Sequence, residues 1–323
     1  MRRLFSLLLL LSLLLPCLCS CARPSDDGRM RIVCTTFAAY DWCRNIVSDR
    51  AEVMLLISDG SDLHSYQPTV ADKVRLIESD LVVYIGGESD GWVCDLLTDE
   101  PGIDEEKRTL CLSEIDGIVL YEPRRSSAES HGDEHVHTEG DGHDHAFDEH
   151  LWLSFDNATA CTRALCERIC ELDREGCEFY RENTEAYVGE LTKISEDYAQ
   201  TVADAAERCL LVADRFPFVY LTEEYGLDFC AAFEGCSTES EASFDTVVRL
   251  SAQAEAWQSR YVIVTEGTDG RLAQSVIASC RGIAPEVLSL HSMQAVSLRC
   301  LREGESYLSV MYENLNVLRQ ALS

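Results

Sequence analysis

Basic residues are scarce in this chain of 323 residues, where 27 lysines and arginines stand against 57 aspartates and glutamates and the formal net charge is -30. A surface of this charge repels phosphates, so the composition excludes nucleic acid as a partner and argues against binding to an anionic membrane surface. The same excess of carboxylates makes a cation the more natural ligand. Apolar residues still form 46% of the chain, which indicates a folded protein.

Long apolar runs are missing everywhere except near the start of the chain. Arg2 and Arg3 precede an apolar run over 7–11 that resumes over 13–15, the pattern of a signal peptide at residues 1–20. This run is shorter than the roughly 20 residues that a membrane-spanning helix needs. We therefore expect an exported protein without a transmembrane anchor.

The apolar region ends in the sequence Leu-Cys-Ser-Cys at 18–21, which resembles the lipobox of bacterial lipoproteins. In that motif the signal is cut before a cysteine that receives the lipid, so Cys21 is the predicted lipidation site. Residues 21–30 are polar and rich in turn formers, which suits a flexible tether. The predicted location is extracytoplasmic, anchored by lipid to the outer face of the bacterial cell membrane. The alternative is an ordinary secretory peptide cleaved near a cysteine by chance.

Familiar catalytic motifs are absent, since the sequence has no HExxH, no nucleophile elbow and no glycine-rich phosphate loop. We therefore expect no enzyme activity. Three histidine ligands with an open coordination position are also the arrangement of catalytic zinc, and Glu149 would be the one obvious general base of such a site. The 16 cysteines contain no CxxC pair, even where Cys161, Cys166, Cys170 and Cys177 crowd one stretch. A thiolate zinc site is therefore not indicated.

Short β-branched runs alternate with helical periodicity along most of the chain, a pattern typical of parallel sheets covered by helices. Because roughly 300 residues exceed one usual core, we predict an α/β fold of two lobes, each with a mainly parallel sheet. The lobes span 31–155 and 208–323. Residues 156–207 contain no proline and predict a long rigid linking helix, or two nearly collinear ones. Ligands of such sheets lie at the strands' carboxyl ends, so the cleft between the lobes is the predicted site.

The distribution of the eight histidines is the most informative feature of the sequence. Three stand alone at predicted loop positions, and imidazole is the commonest protein ligand of zinc. These three are His64, His150 and His291. The other five lie in a polar loop over 126–148 that has no apolar period, namely His131, His135, His137, His143 and His145. We predict that this mobile loop captures or senses metal with low affinity, or else is merely a solvating acidic segment.

The residues around the lone histidines resemble the solute-binding lipoproteins of zinc and manganese ABC transporters, the ZnuA-like or cluster A-I family. Residues 60–69 are similar to the family's first metal motif, in which Gly and Asp lead to His-Ser-Tyr and then Pro. Residues 148–154 resemble its second histidine motif, and an acidic histidine-rich loop just before it is typical of zinc-directed members. Further similarity lies at 79–87, at Tyr220 and 225–227, and at 312–315.

This resemblance implies that His64 and His150 are two metal ligands, brought into the cleft from the first lobe. The family's third ligand is a histidine or glutamate five residues before the aromatic that aligns with Tyr220. Arg215 occupies that position here, and an arginine cannot bind a metal. Asp214 is the nearest substitute if the local backbone is shifted. The other possibility is that both residues only form ion pairs.

His291 stands in the family's fourth ligand position, usually an aspartate, because residues 290–293 read Leu-His-Ser-Met. The implied set is therefore three histidines, with one position for Asp214, Glu239, Glu241 or water. Three nitrogens and one oxygen in tetrahedral geometry suit zinc, whereas manganese is better served by more carboxylates.

Together these implications define an expected function. A monomeric subunit of an ABC importer would capture zinc between its lobes and deliver it to a membrane permease that works with an ATPase. The permease would distinguish the metal-bound from the metal-free arrangement of the loops. Manganese as the cargo of the same fold is one alternative, and a surface adhesin lipoprotein is another.

Overall fold

The structure is a computed structural model that describes residues 28–58, 60–98, 108–124, 147–233, 235 and 242–323. The predictions for the signal peptide, for Cys21 and for Glu239 and Glu241 concern residues outside these ranges, as do those for the five histidines of the acidic loop. Within the described ranges, no helix combines the length and the apolar content needed to cross a bilayer.

The first lobe alternates strands with helices. Its elements are β1 (Met30–Cys34), α1 (Phe37–Val47), β2 (Ala51–Leu55), α2 (Val70–Glu78), β3 (Leu81–Tyr84), α3 (Trp92–Thr98) and β4 (Thr109–Cys111). The strands form a parallel sheet in the order β2-β1-β3-β4. All four residues of β3 are buried, as expected for a parallel sheet covered on both faces. Helix α2 begins at a capping box formed by Thr69 and Asp72, which fixes where the preceding loop ends.

Two helices follow the first lobe, α4 (Phe155–Leu172) and α5 (Cys177–Asp204). Helix α5, with 28 residues, is the long helix expected between the lobes. The expectation that residues 156–207 form one helix, or two nearly collinear ones, is wrong. The helices instead pack antiparallel, with Arg181 of α5 paired to Glu167 of α4 at 2.8 Å.

The turn between these helices is held by local contacts rather than by proline. The carboxylate of Asp173 accepts hydrogen bonds from the backbone N–H groups of Glu175 and Gly176, both at 3.2 Å. A disulfide between Cys170 and Cys177 joins the last turn of α4 to the first residue of α5. This short acidic turn and the cross-link therefore fold the linker back on itself.

The second lobe repeats the architecture of the first. Its elements are β5 (Cys209–Val212), α6 (Val219–Tyr225), β6 (Asp228–Ala231), α7 (Phe244–Trp257), β7 (Tyr261–Thr265), α8 (Arg271–Ser279), β8 (Glu286–Leu290), α9 (Leu298–Arg302) and α10 (Tyr307–Ala321). The strands are parallel in the order β6-β5-β7-β8, which matches the order in the first sheet. The predicted class, two α/β lobes with parallel sheets flanked by helices, is confirmed.

The strand order gives each sheet one switch point, between β1 and β3 in the first lobe and between β5 and β7 in the second. At this point the connections that follow the two central strands lead to opposite sides of the sheet, which leaves a crevice at the carboxyl ends of the strands. In each crevice a threonine donates a hydrogen bond to an aspartate. Thr35 donates to Asp90 at 2.8 Å in the first lobe, and Thr265 donates to Asp214 at 2.8 Å in the second.

The two lobes share a core around the start of α10. Tyr307 is fully buried and packs edge-on against Trp42 of α1, with ring centroids 5.4 Å apart. Its hydroxyl donates to the carbonyl of Trp152 at 2.6 Å, and its backbone N–H donates to the carboxylate of Asp41 at 3.2 Å. Burial raises the pKa of Asp41, although the hydrogen bonds to its carboxylate oppose that shift. These contacts limit how far one lobe can rotate against the other.

Candidate metal centre

His64 lies in a short 3-10 turn, Leu63–Ser65, between β2 and α2. Asp62 caps this turn, because its Oδ1 accepts the backbone N–H of His64 at 3.0 Å. Leu63 is buried and anchors the turn to the first lobe. The loop thus presents the imidazole from a fixed backbone at the carboxyl end of the sheet.

A buried carboxylate orients the ring of His64. Its Nδ1 lies 2.7 Å from the hydroxyl of Ser89 and 3.2 Å from Oε2 of Glu149. Ser89 also donates its backbone N–H and its hydroxyl to Glu149. Burial alone would raise the pKa of Glu149, but the hydrogen bonds from His64 and Ser89 outweigh it and hold that pKa below its ordinary value. An ionised Glu149 keeps the proton of His64 on Nδ1 and leaves Nε2 with its lone pair.

His150 is oriented in the same way from a more buried position. It is 1% exposed, and its Nδ1 lies 2.7 Å from Oδ1 of Asp148, which also accepts the His150 backbone N–H at 3.0 Å. Asp148 is itself fixed, since its backbone N–H donates to the carbonyl of Tyr121 and its carbonyl accepts the hydroxyl of Tyr220. Nε2 of His150 is therefore also the nitrogen without a proton.

The two imidazoles face each other across a short gap. Their Nε2 atoms are 3.2 Å apart, and the ring centroids are 5.2 Å apart. Two lone pairs at this distance repel unless a cation lies between them. Zinc–nitrogen bonds of about 2.0–2.1 Å in a tetrahedron place two ligand nitrogens about 3.3 Å apart. His64 and His150 are thus arranged as two ligands of one zinc-sized ion.

The second lobe contributes Gln294 to this pair of histidines. Its side-chain amide contacts Nε2 of His150. Turning that amide by 180° exchanges its nitrogen for its oxygen, and an amide oxygen is a possible metal ligand. A bond from the indole of Trp152 to the carbonyl of Ser292, at 2.9 Å, ties the Gln294 loop to the first lobe. The loop turns at Met293, which has a φ of 65°, a left-handed conformation that costs a residue with a Cβ about 1 kcal/mol.

The described contacts of His291 are with other residues of the second lobe. Its Nδ1 accepts the backbone N–H of Met293 at 2.9 Å and lies 3.5 Å from Oε1 of Glu266, while its Nε2 lies 3.4 Å from Oε1 of Glu305. The Asn314 side chain holds the His291 backbone through two hydrogen bonds of 2.8 Å. The ring is thus set between two carboxylates of the second lobe.

Asp214 and Arg215 are also engaged elsewhere. Asp214 accepts the Arg215 backbone N–H with one oxygen and both the N–H and the hydroxyl of Thr265 with the other. The guanidinium of Arg215 pairs with Asp62 of the first lobe at 3.0 Å. Across the part of the chain that is described, no group of three or more His, Cys, Asp or Glu side chains is arranged so that it could hold one ion. His64 and His150 are brought together, whereas His291 and Asp214 are not brought to them.

A sequence profile described as "Zinc-uptake complex component A periplasmic" matches residues 32–321, nearly the whole chain. The chain belongs to this family. Membership agrees with the expectation that the chain is not an enzyme, because the family is one of transport components. It also confirms the resemblance found in the histidine motifs.

Several relatives of the chain carry names that mention zinc. The chain is 28% identical to the zinc-binding lipoprotein AdcA of Streptococcus pneumoniae over 96% of its own length and 60% of that relative. It is 27% identical to the high-affinity zinc uptake system protein ZnuA of Bacillus subtilis over 92% of its length and 89% of that relative. The chain spans 56–60% of the AdcA relatives that it matches. A solved zinc-bound ZnuA-like domain of S. pneumoniae AdcA has the same fold, with a TM-score of 0.72 at 23% identity and coverage of 91% and 99% of the two chains.

Several residues that orient the two histidines were not indicated by the sequence. Asp148 precedes His150 by two residues, a spacing that could have indicated its role, while Glu149 was considered only as a catalytic base. Ser89 carries no sequence signal, because it reaches His64 only through the fold. Gln294 was missed because a neutral amide is not a typical metal ligand.

Proposed function

We propose that this chain captures zinc as its cargo in the cleft between the lobes. His64 and His150 bind the ion, Gln294 approaches it from the second lobe, and water completes the tetrahedron. The observation that carries this proposal is the 3.2 Å separation of two Nε2 atoms on rings that each have a carboxylate within 3.2 Å of Nδ1. The carboxylates supply negative charge behind the rings and raise their basicity toward a cation.

This set of donor atoms suits zinc better than manganese. Both fixed donors are imidazole nitrogens, and the nearest carboxylates, Asp148 and Glu149, bond to the far side of the rings. Manganese favours carboxylate, carbonyl and water oxygens, whereas imidazole suits zinc. The names of the zinc-binding relatives support the same choice.

Zinc titration of the purified chain in competition with a chelator tests the ligand set. We expect His64→Ala and His150→Ala each to abolish tight binding, and Gln294→Ala to weaken it by about tenfold, the effect of one weak ligand of about 1.4 kcal/mol. His291→Ala is the matched control, since its ring pairs with Glu266 and Glu305. If His291→Ala abolishes binding and Gln294→Ala does not, the ligand set expected from the sequence is right and this one is wrong.

We also infer that the chain acts outside the cytoplasm, is anchored through Cys21, and hands zinc to the permease of an ABC importer and its ATPase. The family's periplasmic description supports the location, and the name of the S. pneumoniae relative includes lipoprotein. Labelling of cells with a radioactive fatty acid should mark the wild-type chain and not Cys21→Ser. In cells that lack the chain, zinc-limited growth should return with the wild type and not with His150→Ala.

The five histidines of the acidic loop have a separate proposed role in weak, early capture of metal. A deletion that tests this role should end at residue 146, because Asp148 holds His150 in place. We expect deletion of 126–146 to leave the tight cleft site unchanged and to remove the additional weakly bound ions. A loss of the tight site in this variant would contradict the separation of the two roles.

A further inference from the structure

An ion pair crosses the cleft beside the two histidines. Arg215 leaves the second lobe just after β5, and its Nη2 lies 3.0 Å from Oδ2 of Asp62 in the first lobe. The side chains are 37% and 21% exposed, so the pair is partly shielded from solvent. Asp62, Arg215 and Gln294 line the same cavity. The pair thus belongs to the surroundings of the proposed zinc ligands without being part of the ligand set.

The carboxylate of Asp62 has partners in both lobes. Its Oδ1 accepts the backbone N–H of His64 at 3.0 Å, while its Oδ2 accepts Arg215. One side chain therefore connects the backbone of a proposed ligand to the opposite lobe.

The other end of the connection is equally fixed. Asp214 accepts the backbone N–H of Arg215 at 2.8 Å with Oδ1, and its Oδ2 accepts Thr265 at the end of β7. Arg215 is thereby positioned by the switch point of the second sheet. A continuous series of hydrogen bonds runs from β7 through Asp214, Arg215 and Asp62 to the turn that carries His64.

We propose that Arg215 is a positioning residue for zinc, holding the second lobe against the His64 turn through Asp62. The inference rests on the proposed zinc function and deepens it. The guanidinium provides a bridge between the lobes that does not depend on the ion, so the cleft stays closed around His64 and His150 when the metal is absent. A cleft held in this way slows the escape of bound zinc, because the His64 turn must separate from the second lobe before the ion leaves.

Two conservative variants isolate this bridge. Asp62→Asn keeps an Oδ1 that can cap the His64 turn but removes the charge that attracts Arg215. Arg215→Gln removes the opposite charge and retains most of the side-chain length. Stopped-flow release of zinc to a chelator should be about two- to fivefold faster in each variant, the range that a partly exposed pair supports. The double variant should be no faster than either single one, because both remove the same interaction.

Salt provides a second measurement on the wild type. Raising the ionic strength from about 0.05 to 0.5 M should speed zinc release in the wild type toward the rate of the variants, because salt screens the pair, and should change the variants little. Arg215→Lys should restore part of the slow release. Additive effects in the double variant would overturn the proposal. An equal salt response in the wild type, the two single variants and the double variant would also overturn it.

A metal-free measurement separates this inference from the proposed zinc function. Hydrogen exchange of the His64 backbone amide should be faster in both single variants than in the wild type, while the amides of α5 stay equally protected. Unchanged exchange at His64 would overturn the positioning role. If the wild type binds no zinc, but exchange at His64 is still faster in the two variants, the proposed function is refuted and the positioning role stands.

Discussion

Replacing Glu149 with glutamine should weaken zinc binding more than it weakens the fold. Glu149 is 7% exposed and accepts hydrogen bonds from Ser89 and from Nδ1 of His64. Glutamine fills the same volume but has one acceptor oxygen, and its amide N–H groups would face donors. The Nδ1 proton of His64 then keeps only the hydroxyl of Ser89 as a partner, and the ring is held less firmly with Nε2 toward His150.

The expected size of the effect follows from the role of the carboxylate behind the ring. Loss of such a partner costs about 10- to 100-fold in metal affinity, or about 1.4–2.8 kcal/mol. The buried donors left without acceptors cost the fold about 1–3 kcal/mol in addition. Competition titration with a zinc chelator measures the first quantity, and urea unfolding of the metal-free protein measures the second.

Asp173→Asn provides a matched control for the Glu149 variant. Asp173 also accepts three hydrogen bonds, from Glu175, Gly176 and Tyr180, but it lies in the α4–α5 turn. We expect this control to lose stability and to keep wild-type zinc affinity. If Glu149→Gln behaves like the control, with reduced stability and unchanged zinc affinity, then Glu149 does not orient His64 and the reasoning fails.

Three further perturbations have defined expected outcomes. Asp148→Asn should lower zinc affinity at least as much as Glu149→Gln, because Asp148 bonds to the buried ring of His150. The same chelator titration measures this affinity. Reduction of the Cys170–Cys177 disulfide should lower stability by about 2 kcal/mol for a closed loop of this length, seen as a lower melting temperature, and should leave zinc affinity unchanged. Tyr307→Phe leaves the carbonyl of Trp152 without its donor and should cost about 1–3 kcal/mol in urea unfolding; a cost near zero would show that this bond does not hold the lobes together.

The central strands could be predicted from the sequence because both faces of a parallel sheet are covered. The strand Leu81–Tyr84 is one of the short β-branched runs that the sequence shows, and all four of its residues are buried. The edge strand Glu286–Leu290 gives no such signal, since only its last residue is buried and it lacks a continuous apolar run. The three-residue strand Thr109–Cys111 is too short to show a pattern.

The break between α4 and α5 could not be read from helical periodicity. Residues 173–176 include only one glycine and no proline, so the usual signals for the end of a helix are weak. The turn depends on the carboxylate of Asp173 and on a disulfide, and cysteine pairing does not follow from spacing.

The sequence points to two of the residues in the proposed site. His64 and His150 were identified through short motifs whose residues lie together in the chain, and the fold brings the two rings within reach of each other. The place of His291 could not be foreseen, because the left-handed turn at Met293 and the bonds to Asn314 decide which side chain of that loop faces the cleft. That turn presents Gln294 instead.

The Asp–Thr pairs at the two switch points bear on how metal preference can change among such chains. Asp90 with Thr35, and Asp214 with Thr265, occupy the places where an α/β sheet most readily offers a ligand, yet both are used to hold neighbouring strands together. Gln294, which we propose approaches the cargo from the second lobe, lies in the loop after β8 and outside the strand pairing. If Gln294 approaches the metal as we propose, selectivity can vary through this residue while both sheets keep their folding contacts, and the choice of metal and the stability of the lobes are then largely independent properties.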